Sequence, residues 1–511
     1  MLDAMSVESM SARRRWAAAG VLSGGLLVVM MDMTILIMAL PDLLADLGST
    51  ATQQLWLVDA YSLALAGLII PMSALADRYG RRLVLLAGFA TFGLVSALVV
   101  SAEASWQVIA LRAALGAAGA AIMPTTLSML RVVFRDPVER TRALALWSMV
   151  AGAGAVLGPL VGGTLLQFFS WHAAFLVNVP VVLLAVLAGM ALLPESRDPD
   201  PPRWDPVGTA VIIAGMVLTV WGVKRVAEYG IDHLGSWGLL AVGLALTGAF
   251  VLRCLRREEP MLEVRLFLSG PFTAGVLAAL TTSLAMGGVL LLVAQWLQAV
   301  AGYDPVVAGV ALLPMALGGM VTAAVAPPLA QRVGAGPVLS GGLILAAAGM
   351  FGLALQPGIT EYWHVAWPIA LVGAGMGPLA IASAIIMGAT PADKAGDAAA
   401  IEEATYDIGN VLGVAVLGSV AGAVYRDHLR IGAAIAAGAL PPEAALAEES
   451  IVAALALASR AGAPTLAQVA ERAFADGIGV AAMVGGVLLA GAALLAVVLI
   501  PRDHDLAAVA H

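Results

Sequence analysis

The chain has 511 residues, 61% of them hydrophobic and 12% charged, with a net charge of −8 and a mean hydropathy of +0.95. Soluble domains carry about 25% charged residues, so a conventional soluble enzyme is excluded and the activity must lie within a bilayer. The single cysteine, Cys254, excludes an internal disulfide, and six scattered His offer no metal-ligand spacing; neither a metal nor a cofactor is expected.

A bilayer core of about 30 Å takes roughly 20 apolar residues as a helix. The apolar runs are long and do not alternate as barrel strands do, so the spans are helices. In chain order fourteen are expected, at about 16–40, 53–72, 83–101, 106–129, 142–166, 172–193, 206–226, 236–254, 270–299, 305–328, 335–356, 363–388, 399–424 and 477–500. The first follows Arg13, Arg14 and Arg15 and runs to Leu40, longer than the apolar core of about 7 to 15 residues in a signal peptide, which predicts a retained helix. With a cytoplasmic N-terminus, the two tails and the even-numbered connections hold 19 of the 26 Lys and Arg. Basic residues favour the cytoplasmic side, so both termini are expected inside a bacterial cytoplasmic (inner) membrane.

An internal repeat divides the chain. Leu75-Ala76-Asp77-Arg78-Tyr79-Gly80-Arg81-Arg82 follows the second span, and Leu329-Ala330-Gln331-Arg332-Val333-Gly334 follows the tenth. The two turns match if six-helix halves at 1–193 and 265–511 flank a two-helix insertion with its linkers at 194–264. Such repeats build secondary transporters, with the binding site near the midplane between halves. An outer segment at about 425–476, with Glu443, Glu448, Glu449 and Glu471 among Ala and Leu, predicts two amphipathic helices hairpinned before the last span.

Few charges remain within the spans. Asp32 lies well inside the first, where an acid costs about 2.5–3.5 kcal/mol on insertion scales and is by default a functional candidate; it is expected to face a cavity. Two readings stand: exchange of a proton for a cation, or a structural hydrogen bond to a neighbouring helix. Asp59 sits about two turns into the second span, near Trp56 and Tyr61, as an outer cation attractor or as a solvated interfacial carboxylate. Arg112 is the one basic residue deep in a span, either tuning a nearby acid or bridging helices. In the thirteenth span Glu403 and Asp407 are spaced i, i+4 and share a face, so as a pair they are a candidate proton carrier that a monocation replaces. Glu402 points elsewhere and suits an inner-mouth or interhelical contact. Five intramembrane acids against Arg112 favour cationic cargo over anions. Trp56, Tyr61, Trp147, Trp296 and Tyr406 are candidates to stack on planar or quaternary cations, each contact contributing about 0.5–2 kcal/mol, or else pack or anchor.

The fifth span contains Gly154, Gly158, Pro159 and Gly162. Glycines at i, i+4 and i+8 form a smooth stripe that allows close helix approach, and the proline removes a backbone hydrogen bond.

Asp77 to Arg82 resembles the signature loop between helices 2 and 3 of the major facilitator superfamily. Together with Asp32-Met33-Thr34-Ile35-Leu36-Ile37-Met38-Ala39-Leu40-Pro41, the stretch from Arg112 to Pro124, the Gly-rich fifth helix and Glu402-Glu403-Ala404-Thr405-Tyr406-Asp407-Ile408-Gly409-Asn410, it is similar to the fourteen-helix drug:proton antiporters of the QacA/SmvA type over nearly the whole chain. The resemblance implies an all-α major facilitator superfamily fold, monomeric in the membrane, that binds protons and exports small lipophilic cations such as quaternary ammonium antiseptics, dyes and biguanides. It further implies that Asp77, Arg78, Gly80, Arg81 and Arg82 form a gating loop that latches a neighbouring helix end, and that the Gly-Pro element of the fifth helix supports exchange and blocks leak. Three departures stand out. Ser73 replaces the Gly that opens the loop signature, and Leu115 replaces a Gln before Gly116. Ala316-Leu317-Gly318-Gly319 after Leu312-Leu313-Pro314-Met315 lacks the acid associated with dicationic cargo.

The leading expectation is thus a proton-coupled efflux antiporter. Its alternative is a proton-coupled importer or exporter of an endogenous metabolite. A membrane-embedded enzyme finds no support in any nucleotide loop, His cluster or metal motif, and nucleic-acid binding has no motif either.

Overall fold

The computed structural model describes residues 10–134, 136–197, 205–229, 233–257, 260, 262–356, 361–391, 394–429 and 447–500. Among them every regular element is helical. In order these are α1 (Ala12–Leu47), α2 (Ala51–Tyr79), α3 (Arg81–Leu98), α4 (Ser105–Val133), α5 (Pro137–Phe168), α6 (Ala173–Leu192), α7 (Pro206–Tyr229) and α8 (Leu234–Arg256). There follow α9 (Gly270–Gln295), α10 (Pro305–Val333), α11 (Ala335–Ala354), α12 (Trp363–Gly388), α13 (Ala395–Leu412), α14 (Ile451–Ala461) and α15 (Pro464–Leu499). A wide π-type turn at Gly413–Leu417 carries α13 on into a helix at Gly418–Leu429.

Fourteen spans are expected; among the described residues twelve helices are long and apolar enough to cross a membrane, or thirteen if the two arms of α2 count as one. The arms of α2 meet at 51° around Pro71, where the missing N–H and the ring clash break the helix ladder. The 32-residue α5 is not among them, because its described apolar stretch, Leu157–Phe168, is shorter than a full span.

The chain forms two compact units, one of residues 1–43 and 56–213, the other of 44–55 and 214–511. In the first unit α3 lies against α4 and α6. Its core is sealed by aromatic rings on small residues: a Cβ on Gly25 of α1 would strike the Phe89 ring of α3. In the second unit α9 packs on α13 and α15, and α11 packs on α12 and α15. Leu266, Phe272, Val276, Ile386, Ala398 and Ile401 form an apolar cluster at the base of α9 and α13. α1 and α9 have 72% and 78% of their most apolar stretch buried, against 28% for each of α6, α7 and α10 and 17% for α8. An apolar helix that is mostly uncovered turns its side chains to lipid.

The repeated turns have a shared backbone. Gly80 has φ 120° and ψ 127°, and Gly334 has φ 94° and ψ 157°; both lie in a region that residues with a Cβ avoid.

The last span begins earlier than expected. α15 starts at Pro464, not near 477, and continues unbroken to Leu499. Its first turns form one arm of the 425–476 segment, joined to α14 through Gly462 in the left-handed conformation. The proline at the N-terminus of α15 is compatible with helix, because its missing N–H would have no intrahelical partner there. Residues 430–446, with Glu443, lie outside the described residues, as do Arg135, Arg203 and Arg502.

Candidate functional site

Two clusters of buried polar side chains stand out, one in each unit. The first is assembled by α1, α2, α4 and α6. Glycine spacing makes it possible: a Cβ on Gly116 of α4 would overlap the carbonyl of Tyr61 on α2. This approach brings Arg112 beside Asp32, and both are essentially inaccessible, at 1% and 0% exposed. One Asp32 oxygen is ion-paired with Arg112 Nη1; the other accepts from Asn178 Nδ2 of α6 at 2.7 Å. Arg112 Nε donates to the Leu57 carbonyl at 3.3 Å, and its guanidinium lies 4.4 Å from the Tyr61 ring centroid. Tyr61 Oη donates in turn to the Val29 carbonyl of α1 at 3.1 Å, one turn before Asp32. Removing one partner of a buried ion pair strands the other at about 3–5 kcal/mol, so the contact ties four helices together.

The sequence leaves Asp32 a choice between a cavity and a helix contact, and in this conformation Asp32 is enclosed by Arg112 and Asn178. The ring of Tyr61 meets the chain's own Arg112 guanidinium. Asp59 is 1% exposed, so the solvated interfacial reading does not describe it; Trp56 is half-buried.

The stripe on α5 packs on α1, on the face adjacent to Asp32. A Cβ on Gly154 would come within 2.8 Å of Met30 Cβ, one on Gly158 would overlap Thr34 Oγ1, and one on Gly162 would meet Ile35 Cγ1 at 2.8 Å. Pro159, next to Gly158, is buried. On α5 as well, the Trp147 indole N–H donates to Thr126 Oγ1 of α4 at 3.1 Å.

The loop residues bind the segment that follows α6. Arg81 pairs with Asp77 at 2.8 Å and its backbone N–H donates to the Ser196 carbonyl at 2.9 Å. The backbone N–H of Arg82 donates to Glu195 Oε1 at 3.2 Å, and its guanidinium reaches the Met190 carbonyl. Gly80 faces the same carboxylate: an added Cβ would lie 2.6 Å from Glu195 Oε1. Arg78 turns aside to the ring of Tyr79, 6.0 Å from its centroid.

The second cluster belongs to α13. Glu402 is buried and accepts from Ser383 Oγ of α12 at 3.1 Å and from Tyr406 Oη at 3.0 Å. It thus links α13 to α12, and Tyr406 is engaged with it. Asp407 is 5% exposed and its Oδ2 has no hydrogen-bond partner. Glu403 is half-buried and forms no ion pair among the described residues. Close backbone contact with α9 confines this face: a Cβ on Gly409 would meet the Leu280 carbonyl at 2.6 Å. Trp296, at the start of a π-type turn after α9, is 1% exposed. A separate cavity of about 60 Å³ in the same unit is lined by Lys224, Gln295, Ser419, Arg426 and Glu449 among others.

Neither cluster has the donors of a cofactor or metal site, and no group of three or more His, Cys, Asp or Glu among the described residues is arranged to hold a metal ion. Isolated acids among apolar helices, with one buried arginine, suit movement of charge more than bond chemistry. The model of the Major Facilitator Superfamily matches residues 22–414. The chain belongs to that superfamily. The transporter is 37% identical to "Multidrug efflux pump LfrA" of Mycolicibacterium smegmatis over 485 residues, covering 94% of this chain and 95% of the relative. It is 34% identical to "Methyl viologen resistance protein SmvA" of Salmonella typhimurium, covering 83% and 86%. To "Tetracenomycin C resistance and export protein" of Streptomyces glaucescens it is 32% identical, covering 94% and 91%. Among solved structures, an inward-facing, unoccupied bacterial homologue of the human lysosomal transporter Spinster matches with a TM-score of 0.62 at 19% identity, over 96% of this chain and 98% of that one, which is agreement in fold. The protein is a multi-pass efflux transporter of the bacterial inner membrane, and not an enzyme.

Several polar partners in this transporter are missing from the motif reading. Asn178 is a lone amide at the start of the apolar run Val179–Leu192, and its polarity within a span was the available signal. Ser383 is less visible, since a hydroxyl in a membrane helix can bond its own backbone. Glu195 and Ser196 lie beyond the end of α6 in a connection that sequence spacing does not orient.

Proposed function

We propose that the transporter is a proton-coupled antiporter that exports lipophilic cations, such as quaternary ammonium compounds, dyes and biguanides, by alternating access. The observation that carries this reading is the uncompensated acid cluster of α13. Glu402, Glu403 and Asp407 lie within twelve residues of the start of the helix at Ala395, and none has a basic partner among the described residues. Charged groups held away from water require pairing or protonation, so protons and cationic cargo are the species that such a site accommodates in turn. Asp32 differs in already having Arg112, and its exchange requires that this pair open. The loop Asp77–Arg82 acts as a latch on the inner side, and the half-buried Trp56 and Trp147 contribute apolar surface for aromatic cargo. Fourteen spans with both termini cytoplasmic, halves at 1–193 and 265–511 around an inserted pair, and a monomeric pump complete the proposal.

The test uses inverted vesicles carrying an acid-inside gradient. Adding ethidium should dissipate the gradient, and Asp32→Asn or Asp407→Asn should each abolish the response. Full ethidium-driven proton release by both variants would overturn the assignment of these acids. The name of SmvA, a methyl viologen resistance protein, supports cationic cargo, and that of LfrA a multidrug range. A second reading, movement of one endogenous metabolite, draws on the relative named for tetracenomycin C export; a pump that leaves the gradient untouched by every cationic dye would favour it.

A further inference from the structure

The enclosure around Asp32 contains a polar atom that its present bonding leaves unused. Asn178 is 0% exposed; its Nδ2 donates to Asp32, and its own Oδ1 makes no hydrogen bond. Buried amide oxygens are seldom left so. Arg112 holds the other Asp32 oxygen and has only donors. It suits an ionised Asp32 and offers no acceptor to the O–H of a protonated one. Asn178 is the acceptor-bearing side chain already hydrogen-bonded to Asp32 among the described residues, and other polar groups lie on the neighbouring elements. From α2, Tyr61 gives its hydroxyl to the Val29 carbonyl, and the buried Asp59 lies two residues earlier on that helix. On α1 itself, Thr34 Oγ1 donates to the Met30 and Met31 carbonyls. The α5 seam presents glycines to α1 and no titratable side chain. A primary amide has both a donor and an acceptor end, and turning its terminal torsion exchanges them in place.

Building on the reading of Asp32 as a proton carrier, we propose that Asn178 is a positioning residue that holds Asp32 in both protonation states. It donates to the carboxylate while Arg112 is paired. When a proton from water forms the Asp32 O–H bond and the ion pair opens, the amide turns over and Oδ1 accepts that hydrogen. Asp32 is thereby kept in register through the exchange, and α6 senses which form is present.

The test compares Asn178→Leu, of similar volume and without hydrogen-bonding groups, with Asn178→Asp, which regains both a donor and an acceptor only when protonated. Purified variants are reconstituted and assayed for proton-driven dye transport across external pH, with Asp32→Asn alongside. Asn178→Leu is expected to lose at least about tenfold in rate at every pH, consistent with removal of a charge-assisted hydrogen bond. Asn178→Asp is expected to be as slow at high pH and to recover as the pH falls. In pH-difference infrared spectra, the protonated carboxyl band that Asp32→Asn removes should move to higher wavenumber in Asn178→Leu, because its O–H has lost an acceptor. Wild-type rate and pH profile in Asn178→Leu, or an unmoved carboxyl band, would overturn the proposal while leaving Asp32 as carrier. If Asn178→Leu does not fold, absence of acid recovery in Asn178→Asp overturns it. Proton coupling that survives in Asp32→Asn would instead remove the underlying reading, and this inference with it.

Discussion

Helix spacing between α1 and α5 can be probed by two chemically identical substitutions that differ only in available room. At Gly158 an added Cβ would overlap Thr34 Oγ1 and lie 2.9 Å from the Met31 carbonyl oxygen and 3.0 Å from Thr34 Cβ. Favourable contact requires about 3.5–4.0 Å, so α1 and α5 must part by roughly 0.5–1 Å. Overpacking of this kind costs about 1–3 kcal/mol. At Gly24, on α1, an added Cβ meets nothing within 4 Å, and replacing a mid-helix glycine by alanine stabilises by up to about 1 kcal/mol. Gly24→Ala should therefore unfold at or slightly above the wild-type temperature. Gly158→Ala should unfold below Gly24→Ala by an amount equivalent to about 1–3 kcal/mol, or roughly 3–10 °C for a unit of this size. The assay is thermal unfolding of purified protein in one detergent, paired with ethidium efflux from loaded cells. Since α1 carries Asp32, its displacement should also reduce efflux in Gly158→Ala alone. Adding Thr34→Ala, which removes the overlapping hydroxyl, should recover part of the loss. Equal melting temperatures and equal efflux for Gly24→Ala and Gly158→Ala would refute the argument that this stripe sets the seam.

Gly80→Ala should lower both stability and efflux, because it meets an unfavourable φ of 120° and Glu195 Oε1 at 2.6 Å; Gly334→Ala, with its nearest neighbour Pro337 Cδ at 3.7 Å, should meet backbone strain alone. Strain of that kind costs about 1–3 kcal/mol, and melting curves that rank Gly334→Ala as the more damaged would contradict the contact. Asp407→Leu should abolish cation efflux yet melt no lower than wild type, since it removes a buried oxygen that lacks a partner and substitution of an unsatisfied polar group by an apolar one is near neutral or stabilising. A large loss of thermal stability would mean that Asp407 is structural. In a pump-deficient host the unmodified transporter should protect better against monovalent than divalent quaternary ammonium compounds, and Gly319→Asp should improve the divalent response. That change is tight, as an added Cβ would meet the Gly373 carbonyl oxygen at 3.2 Å and requires the backbone there to give by a few tenths of an ångström. Strong divalent resistance without the substitution would remove the significance of the missing acid.

Composition was sufficient to place the chain in a membrane as helices, because apolar runs of bilayer length with few charges have no other stable form. The same charge scarcity singled out Asp32, Arg112, Glu402, Glu403 and Asp407, and the spacing of Gly154, Gly158 and Gly162 foretold a close seam. Partners were another matter. Asp32 and Arg112 are 80 positions apart and Asn178 is 146 from Asp32, and no local periodicity says which acid a lone arginine meets. Helix ends were likewise uncertain: the extension of the last helix back to Pro464 carries amphipathic sequence that hydropathy assigns to a loop. Sequence by itself determined which residues are too costly to bury alone, since that follows from transfer energy residue by residue. Only the tertiary structure decided how each cost is met, with Arg112 and Asn178 enclosing Asp32 while Asp407 Oδ2 is left without a partner, because compensation depends on distances between helices far apart in the chain.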